Sequence, residues 1–424
     1  MTSSIRIAII GGGVAGASLL HALVKSPHLD VHIFESANEF KEAGMAFGIA
    51  RNAQSALQLI GPSAVRSLEQ AGAVPMRGVR FMLAQGEGAG TLADETDSDV
   101  HGKSLTSIVH RANFLQELLA GISHDRMHAS KKLEKVVQDG SVTLHFTDGT
   151  THECDIVVGA DGIHSTVRKL ILGSDVSATP RNSGGWFLMT LQPFEKVQAS
   201  LGKELISIED AREYGWIGEN VFLMHNILSD GKLVQFAIAS NDTGIESQSL
   251  DSWQRTVGAD EIRKLFQGYP PHIRDAVYEL LCDQPEHKAL YLWEHPNAPT
   301  YSSGPMCVTG DAAHATTPWH GSGGGMSIED SLILSTLLGR AKTPAEALVA
   351  LKVYDRIRRP RTQRIVEASR VTGDILMGRN EEYGLDPRKF PGSFVARWDF
   401  IIDIDMEKHR DDALQLMEAE LKGV

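Results

Sequence analysis

The sequence has few cysteines and no long apolar runs. Among its 424 residues it contains three cysteines, Cys154, Cys282 and Cys307. None stands in a Cys-x-x-Cys or Cys/His spacing, so neither a disulfide framework nor a zinc site is predicted. No apolar run reaches the length that a bilayer-spanning helix needs. We therefore expect no metal site and no membrane anchor.

Positively charged residues are fewer than negatively charged ones. The chain has 41 lysines and arginines against 54 acidic residues, a net charge of -13, which argues against nucleic acid or an anionic membrane as the main partner. The first strand pattern begins so early that it leaves no room for a signal peptide, and Leu421–Val424 is no targeting signal. A cytoplasmic protein of about two or three domains is expected.

A glycine motif between a strand pattern and a helix pattern opens the chain. The apolar run Ile7–Ile10 is typical of a buried parallel strand. Three glycines follow it in the spacing G-x-G-x-x-G: Gly11, Gly13 and Gly16. This spacing allows a tight turn, close approach of a pyrophosphate and a helix lying near the strand. A second strand, Val31–Phe34, ends at Glu35, which is placed to accept hydrogen bonds from a ribose. The motif predicts dinucleotide binding, with a purely structural turn as the alternative.

Small residues and an unusual arginine mark the next segments. Gly44, Ala46 and Gly48 alternate, which favours backbone packed against a flat ligand over a tight loop without one. Arg111 lies in the first turn of a helix predicted over Val109–Leu119, where a cation opposes the helix dipole unless a phosphate or carboxylate compensates it. The acidic, glycine-rich stretch 85–99 is interpreted as a surface loop.

Two later strand patterns end in an acidic turn. One ends at Asp161–Gly162 and the other at Gly310–Asp311. After the second turn, a loop containing Pro318 leads into Gly321–Gly325, which opens a predicted helix. A second glycine-rich helix N-terminus is therefore expected beside the ligand.

The pattern changes from alternating strands and helices to mostly strands between about 176 and 295. The clearest strands there are Trp186–Leu191, Val221–Leu228 and Leu233–Ser240. We predict an α/β fold in which a Rossmann-type domain (1–75, 105–175 and 296–375) carries an inserted antiparallel-sheet substrate domain (76–104 and 176–295). A C-terminal helical region is expected over 376–424.

These motifs, in this order over nearly the whole chain, resemble the single-component (class A) flavin monooxygenases. These are aromatic hydroxylases of the 4-hydroxybenzoate hydroxylase fold, and the chain is most similar to the salicylate hydroxylase branch and related fungal phenol hydroxylases. The resemblance implies FAD as cofactor and NADH or NADPH as cosubstrate. A monomer or homodimer is expected. The resemblance further implies hydroxylation of a phenolic or salicylate-type substrate by O2 through a flavin C4a-hydroperoxide, with or without decarboxylation. Two alternatives stay open: oxygenation of a non-phenolic natural-product scaffold, and a flavin-binding protein without turnover.

The resemblance also implies roles for the motif residues. Glu35 would bind the adenosine ribose, Arg111 would lie near the ribityl-pyrophosphate, and Asp311 would hold the ribityl chain or the pyrophosphate. Backbone N–H groups of Gly323, Gly324 and Gly325 would face the isoalloxazine, with Gly48 near the ligand. The Asp161–Gly162 turn would serve both FAD and the nicotinamide donor.

The substrate side departs from the family pattern. Some fungal relatives have a phenolate-binding arginine where this chain has Met189, and a tyrosine where it has His225. His225 is therefore a candidate acid–base residue, with a core histidine as an equal alternative. His320, which follows Pro318 and Trp319, is expected to face the substrate with them.

Overall fold

The computed structural model describes residues 4–41, 46–97, 105–139, 141–241 and 252–423. Gly44 of the alternating segment lies outside these ranges. The described strands are β1 (Ile5–Ile10), β2 (Leu29–Phe34), β3 (Ala46–Ala50), β4 (Val74–Met76), β5 (Gly78–Leu83), β6 (Leu92–Asp97), β7 (Thr106–His110), β8 (Met127–His128), β9 (Leu133–Asp139), β10 (Ser141–Phe146), β11 (Thr151–Cys154), β12 (Ile156–Gly159), β13 (Arg181–Pro193), β14 (Glu213–Gly218), β15 (Val221–Leu228), β16 (Leu233–Asn241), β17 (Gln254–Gly258), β18 (Glu286–Glu294), β19 (Ser302–Ser303) and β20 (Met306–Val308).

The described α-helices connect and cover these strands. They are α1 (Val14–Leu23), α2 (Arg51–Ile60), α3 (Pro62–Gln70), α4 (Arg111–Leu119), α5 (Thr166–Leu172), α6 (Phe194–Leu201), α7 (Ala259–Leu265), α8 (Pro271–Leu281), α9 (Asp311–His314), α10 (Gly323–Arg340), α11 (Pro344–Leu376), α12 (Val395–Ile402) and α13 (Met406–Gly423). None of them combines the length and the apolar character needed to cross a bilayer.

A six-stranded sheet forms the nucleotide side of the molecule. Its strand order is β19-β20-β12-β1-β2-β8, and all neighbours run parallel except β19 and β20. Its central strands β1, β12 and β20 are covered on both faces and are therefore apolar nearly throughout; Ile7, Ala8 and Ile9, for example, are at most 1% exposed. The carboxyl ends of β1, β12 and β20 meet at one edge, where the three predicted acidic and glycine turns follow.

An eight-stranded sheet forms the other side, in the order β17-β18-β13-β16-β15-β14-β5-β6. Its neighbours are antiparallel except β14 and β5, which run parallel. One of its faces packs against α6, α7 and α8 in a second hydrophobic core. The stretch expected to be a loop at 85–99 contributes the edge strand β6, because it pairs with β5. The predicted α/β fold with a sheet domain and a helical C-terminal region is otherwise confirmed.

Two long helices connect the two sides. α10 is buried along most of its length, and α11 continues for 33 residues with Pro360 inside it. α12 and the segment before it place Phe394 and Trp398 against Phe81 of the eight-stranded sheet.

Candidate active site

One cavity of about 430 Å³ extends from the glycine turn to the eight-stranded sheet. It brings together most of the residues predicted for a cofactor and a substrate. The predicted residues that line it are Gly13, Gly48, Met189, Arg111, Asp311, Pro318, Trp319, His320, Gly323 and Gly324. The remaining predicted residues (Gly11, Gly16, Glu35, Asp161, His225 and Gly325) are not part of its wall.

The outer glycines of the motif set how closely the backbone segments approach. Gly11 has φ +108°, and a Cβ there would lie 2.2 Å from the carbonyl oxygen of Ala160. A Cβ on Gly16 would lie 2.0 Å from the carbonyl oxygen of Gly11. Both positions therefore exclude a side chain, and α1 can begin directly over the end of β1. Gly13 is the member of the motif that faces the cavity.

Glu35 lies at the carboxyl end of β2, beside this turn. Its Oε2 accepts a hydrogen bond from the N–H of Gly12 at 2.6 Å, and its Oε1 accepts one from the N–H of Ala37 at 2.7 Å. The carboxylate is thus fixed next to the glycine turn, the position expected for a ribose contact.

Two helix N-termini open toward the cavity without a side-chain cap. Gly13, which has no side chain, precedes α1; Ser322 precedes α10, and its side chain makes no hydrogen bond to the first turn of that helix. In α10 the N–H of Met326 donates to the carbonyl oxygen of Ser322. The N–H groups of the three preceding glycines therefore lie in the first turn, where a helix offers them no carbonyl partner of its own. Free N–H groups and the helix dipole favour negative charge at both ends, and Arg111 adds a cation to the same wall.

The three glycines of α10 differ in their surroundings. A Cβ on Gly324 would lie 2.4 Å from the ring of Phe47, whereas one on Gly323 would meet its nearest neighbour, in Thr316, at 3.8 Å. Gly325 is buried, and a Cβ there would lie 3.5 Å from Ala53. Gly323 and Gly324 therefore form the cavity wall, and Gly325 packs against α2.

Asp311 is held in place by buried charges on either side of α9. Asp330 of α10 accepts hydrogen bonds from the N–H of Gly310 at 3.2 Å and from Nε2 of His314 at 2.7 Å. Arg168 of α5 donates to the carbonyl oxygens of Ala312 and Ala313. Both charged side chains are fully buried, so the short turn that carries Asp311 is rigidly positioned.

A buried ionic network holds α10 against α11. Arg358 donates to Glu329 at 2.6 Å and to Asp330 at 2.7 Å, and all three side chains are fully buried. Arg361 donates to both oxygens of Glu329. Burial alone would raise the pKa of Glu329, but Arg358 and Arg361 outweigh it and lower that pKa to about 2.

The Asp161–Gly162 turn reaches the cavity through its glycine. The carboxylate of Asp161 instead accepts hydrogen bonds from the N–H groups of Thr166 and Val167 and so caps α5. Burial raises the pKa of Asp161, and these hydrogen bonds oppose that effect. The Asp161 carboxylate is therefore directed at the N-terminus of α5 and not at the cavity.

The register of the eight-stranded sheet decides which side chains face the cavity. Met189 of β13 pairs with Ala237 of β16, which pairs with Met224 of β15. All three line the cavity, and they form one row across the sheet because side chains in register share a face. Met189 thus lies on the cavity wall, between apolar neighbours.

His225 belongs to the opposite face, and its predicted contact with the substrate is wrong. It follows Met224 directly, so the pleat turns it away from the cavity. Its ring is fully buried, stacks on Tyr214, and accepts a hydrogen bond from Nε1 of Trp216 at 3.3 Å. Burial lowers the pKa of His225 to about 3, so this histidine is a neutral core residue.

His320 lines the cavity together with Pro318 and Trp319. Its Nε2 bonds to Oγ1 of Thr372 at 2.9 Å, and its ring contacts the edge of Trp398. Burial, with a smaller contribution from Arg397, lowers the pKa of His320 to about 4. The imidazole is therefore neutral at pH 7.

Several residues of the wall were not predicted from the sequence. They are Glu213, Asn226 and Gln235 on the sheet and Trp398 on α12. Asn226 could have been found from its spacing, because Phe222, Met224 and Asn226 alternate along one face of β15. That signal is usable only once the inward face is known.

Comparison with known proteins agrees with this arrangement. Residues 251–369 match a family model described as "FAD binding domain". A 6-methylsalicylate 1-monooxygenase from Aspergillus terreus is 34% identical over 425 residues, which cover 98% of this chain and 93% of that protein. Salicylate hydroxylase from Pseudomonas putida is 28% identical over 95% of this chain and 93% of its own length.

The fold has a close counterpart among solved structures. A salicylate hydroxylase substrate complex superimposes with a TM-score of 0.84 at 24% identity, covering 97% of this chain and 98% of the other. The resemblance drawn from the motifs and the prediction of an FAD cofactor are thereby confirmed. The chain belongs to the family of FAD-dependent monooxygenases that includes salicylate hydroxylase.

Proposed function

We propose that this FAD-dependent monooxygenase consumes NADH or NADPH and O2 to hydroxylate a phenolic or salicylate-type aromatic ring, with or without decarboxylation. One observation carries the proposal. The cofactor turns and the inner face of the eight-stranded sheet share a single cavity, so a ring bound on the sheet lies next to the cofactor.

The residues present fit FAD. The uncapped N-terminus of α1, with Arg111 and Asp311 nearby, suits a pyrophosphate and a ribityl chain. The uncapped N-terminus of α10 would stabilise negative charge on the reduced ring system. When bound, FAD supplies the oxygen activation, while the protein orients the ring and excludes water.

On the substrate side, apolar side chains contribute most of the wall. Phe187, Met189, Phe222 and Met224 provide flat apolar contact for an aromatic ring. Trp319 and His320 close the cavity from the α10 side. Because His320 is neutral, it would donate or accept one hydrogen bond without adding charge.

Met189 favours a second candidate, the oxygenation of a non-phenolic natural-product scaffold. A methionine does not stabilise a phenolate as an arginine would, so an uncharged substrate suits this position better. A flavin-binding protein without turnover is disfavoured, because simple binding would not require N–H donors aimed at the ring system.

The proposal is tested by measuring NADH and NADPH oxidation across a panel of phenols, benzoates and their O-methyl ethers. We expect one class of ring to stimulate oxidation and to gain one oxygen atom, detected by product mass. Denatured protein should release FAD and not FMN. Absence of stimulation by every ring would refute the proposed activity.

Asp311→Ala tests the cofactor side. Loss of a charge-assisted hydrogen bond should weaken FAD binding about tenfold or more. Cys307→Ala is the control, because Cys307 is a fully buried core residue behind the same turn and should keep its FAD affinity. Equal affinities in the two variants, measured by FAD titration of apoprotein, would contradict the assignment.

We also propose a domain organisation, an oligomeric state and a cellular location. The substrate domain is proposed to comprise 76–104 and 176–295, inserted in the FAD domain formed by 1–75, 105–175 and 296–375. A monomer or homodimer is proposed, which light scattering tests. The proposed cytoplasmic location is tested by cell fractionation.

A further inference from the structure

A row of polar side chains crosses the cavity face of the eight-stranded sheet. β5 and β14 pair Val79 with Glu213, and β15 and β16 pair Asn226 with Gln235. The register of β14 and β15, which pairs Tyr214 with His225, places Glu213 opposite Asn226 at the next position. Glu213, Asn226 and Gln235 therefore lie side by side, and all three line the cavity.

Glu213 and Asn226 lack partners that residues of their kind normally have. Within the described parts of the chain, neither a hydrogen-bond donor nor a cation pairs with the carboxylate of Glu213. Asn226 is 2% exposed, and its Nδ2 has no hydrogen-bond partner among the described residues. Buried polar groups are nearly always satisfied, so the unpaired Nδ2 of Asn226, beside the half-buried carboxylate of Glu213, indicates a ligand.

The chemistry of the pair specifies that ligand's functional group. Glu213 offers an acceptor and the amide of Asn226 offers a donor, on Cβ atoms roughly 5 Å apart as expected for facing positions. A hydroxyl group complements both, because it donates one hydrogen bond and accepts others. A ring carboxylate does not complement the pair, because it would place a second negative charge beside Glu213.

We propose that Glu213 and Asn226 bind a ring hydroxyl of the substrate and that Glu213 accepts its proton. The O–H bond breaks, its electron pair stays on the ring oxygen, and the proton moves to a carboxylate oxygen of Glu213. Asn226 donates a hydrogen bond to the resulting phenolate oxygen. This inference rests on the proposed aromatic hydroxylation and makes its substrate a phenol, even where Met189 provides no cation.

The electrostatics of the cavity suit this role. Burial raises the pKa of Glu213 to about 7, near the range in which a general base works best. Other charged or titratable groups on the described cavity wall are Arg111 of α4, Asp311 of α9 and His320 before α10. On the strands beside Glu213, the positions facing the cavity (Val79, Thr96, Asn226 and Gln235) are uncharged.

Glu213→Gln is the decisive variant, because it keeps shape and removes the base. Glu219→Gln is the matched control: the same change, at an exposed position just beyond the end of the same strand. The substrate is whichever phenol of the panel stimulates the wild type most. Hydroxylation is followed in single turnover, separately from flavin reduction, on FAD-loaded protein.

We expect Glu213→Gln to slow hydroxylation by about 10²-fold or more and to leave FAD content unchanged. The wild type should lose kcat/KM as the pH falls through about 7, since Glu213 then takes up a proton from water. This acidic limb, the loss of kcat/KM below about pH 7, should be absent from the pH profile of Glu213→Gln and present in that of Glu219→Gln. Asn226→Leu should raise KM roughly tenfold and keep the limb.

The inference is overturned if Glu213→Gln keeps the wild-type rate and pH profile, or if O-methyl ethers stimulate as well as free phenols. Either result would leave the proposed monooxygenase activity intact. Stimulation by no ring at all would refute the proposed function, and this inference with it.

Discussion

Arg358→Met should be one of the most destabilising single substitutions in this chain. Arg358 is fully buried and donates to Asp330 at 2.7 Å, to Glu329 at 2.6 Å and to the carbonyl oxygen of Met326 at 3.3 Å. Methionine keeps most of the length of the side chain and removes its charge. Two buried carboxylates then lose a shared cation.

The expected size follows from these contacts. Removing one partner of a buried ion pair costs about 3–5 kcal/mol, because a charge is left uncompensated. Glu329 retains Arg361, and Asp330 retains His314, so we expect about 3–4 kcal/mol in the free energy of unfolding. Because the fold lowers the pKa of Glu329 from its ordinary value of 4.5, the wild type gains stability from this carboxylate above pH 4.5 and loses that gain as the pH falls toward 2. The deficit of the variant should shrink over the same window.

The assay is urea unfolding of FAD-loaded protein, followed by both circular dichroism and flavin fluorescence. Arg356→Met is the control on the same helix, because the Arg356 side chain is 54% exposed and pairs with Glu420 at the surface. Its effect should stay under about 1 kcal/mol. The double variant Arg358→Met/Glu329→Gln should be more stable than the sum of its single changes predicts. Strict additivity, or an effect of Arg358→Met no larger than that of Arg356→Met, would refute the network argument.

Further predictions concern the glycines and two histidines. Gly324→Ala should lower FAD affinity by moving the Phe47 ring, 2.4 Å from the new Cβ, whereas Gly323→Ala, by FAD titration, should retain more of it. His225→Ala should lower the melting temperature and leave the single-turnover hydroxylation rate near wild type; a large fall in that rate would restore its catalytic role. Burial and neighbouring histidines lower the pKa of His152 from 6.5 to about 4. The unfolded chain therefore binds the extra proton first, and stability should fall from pH 6.5 to pH 4, less steeply in His152→Gln; equal slopes in urea titrations would contradict this.

The strands and the cofactor turns could be predicted because their signals are local. The predicted strand Val221–Leu228 matches β15 residue for residue, and the G-x-G-x-x-G spacing reports contacts between neighbouring segments. Each such signal is carried by a few consecutive residues.

The inward face of that same strand could not be predicted. β15 is buried on both faces, so apolar residues occupy both, and polarity does not distinguish them. The sequence favours His225 as the polar candidate, whereas its neighbours Met224 and Asn226 face the cavity. Glu213, at the start of its strand, resembles an ordinary solvent-exposed strand end.

Charge pairing between distant segments could also not be predicted from the sequence. The segment 358–361 is basic, yet Arg358 is fully buried because Glu329 and Asp330 approach from another helix. Likewise the acidic stretch predicted as a loop contains Asp94, which accepts hydrogen bonds from the N–H groups of Gly392 and Phe394. Such partners are set by the packing of distant segments.

The hydrogen bonds by which Asp330 and Arg168 hold α9 have a consequence for redesign of this enzyme. Asp330 belongs to the same helix whose N-terminus carries Gly323 and Gly324, so Asp311 and the glycine N–H groups move as one body. A mutational library aimed at this body would disturb the cofactor contacts of Asp311 and of the α10 glycines together. The eight-stranded sheet offers independent positions, such as Met189, Met224 and Asn226, where changes of substrate scope can be selected while the flavin environment is inherited unchanged.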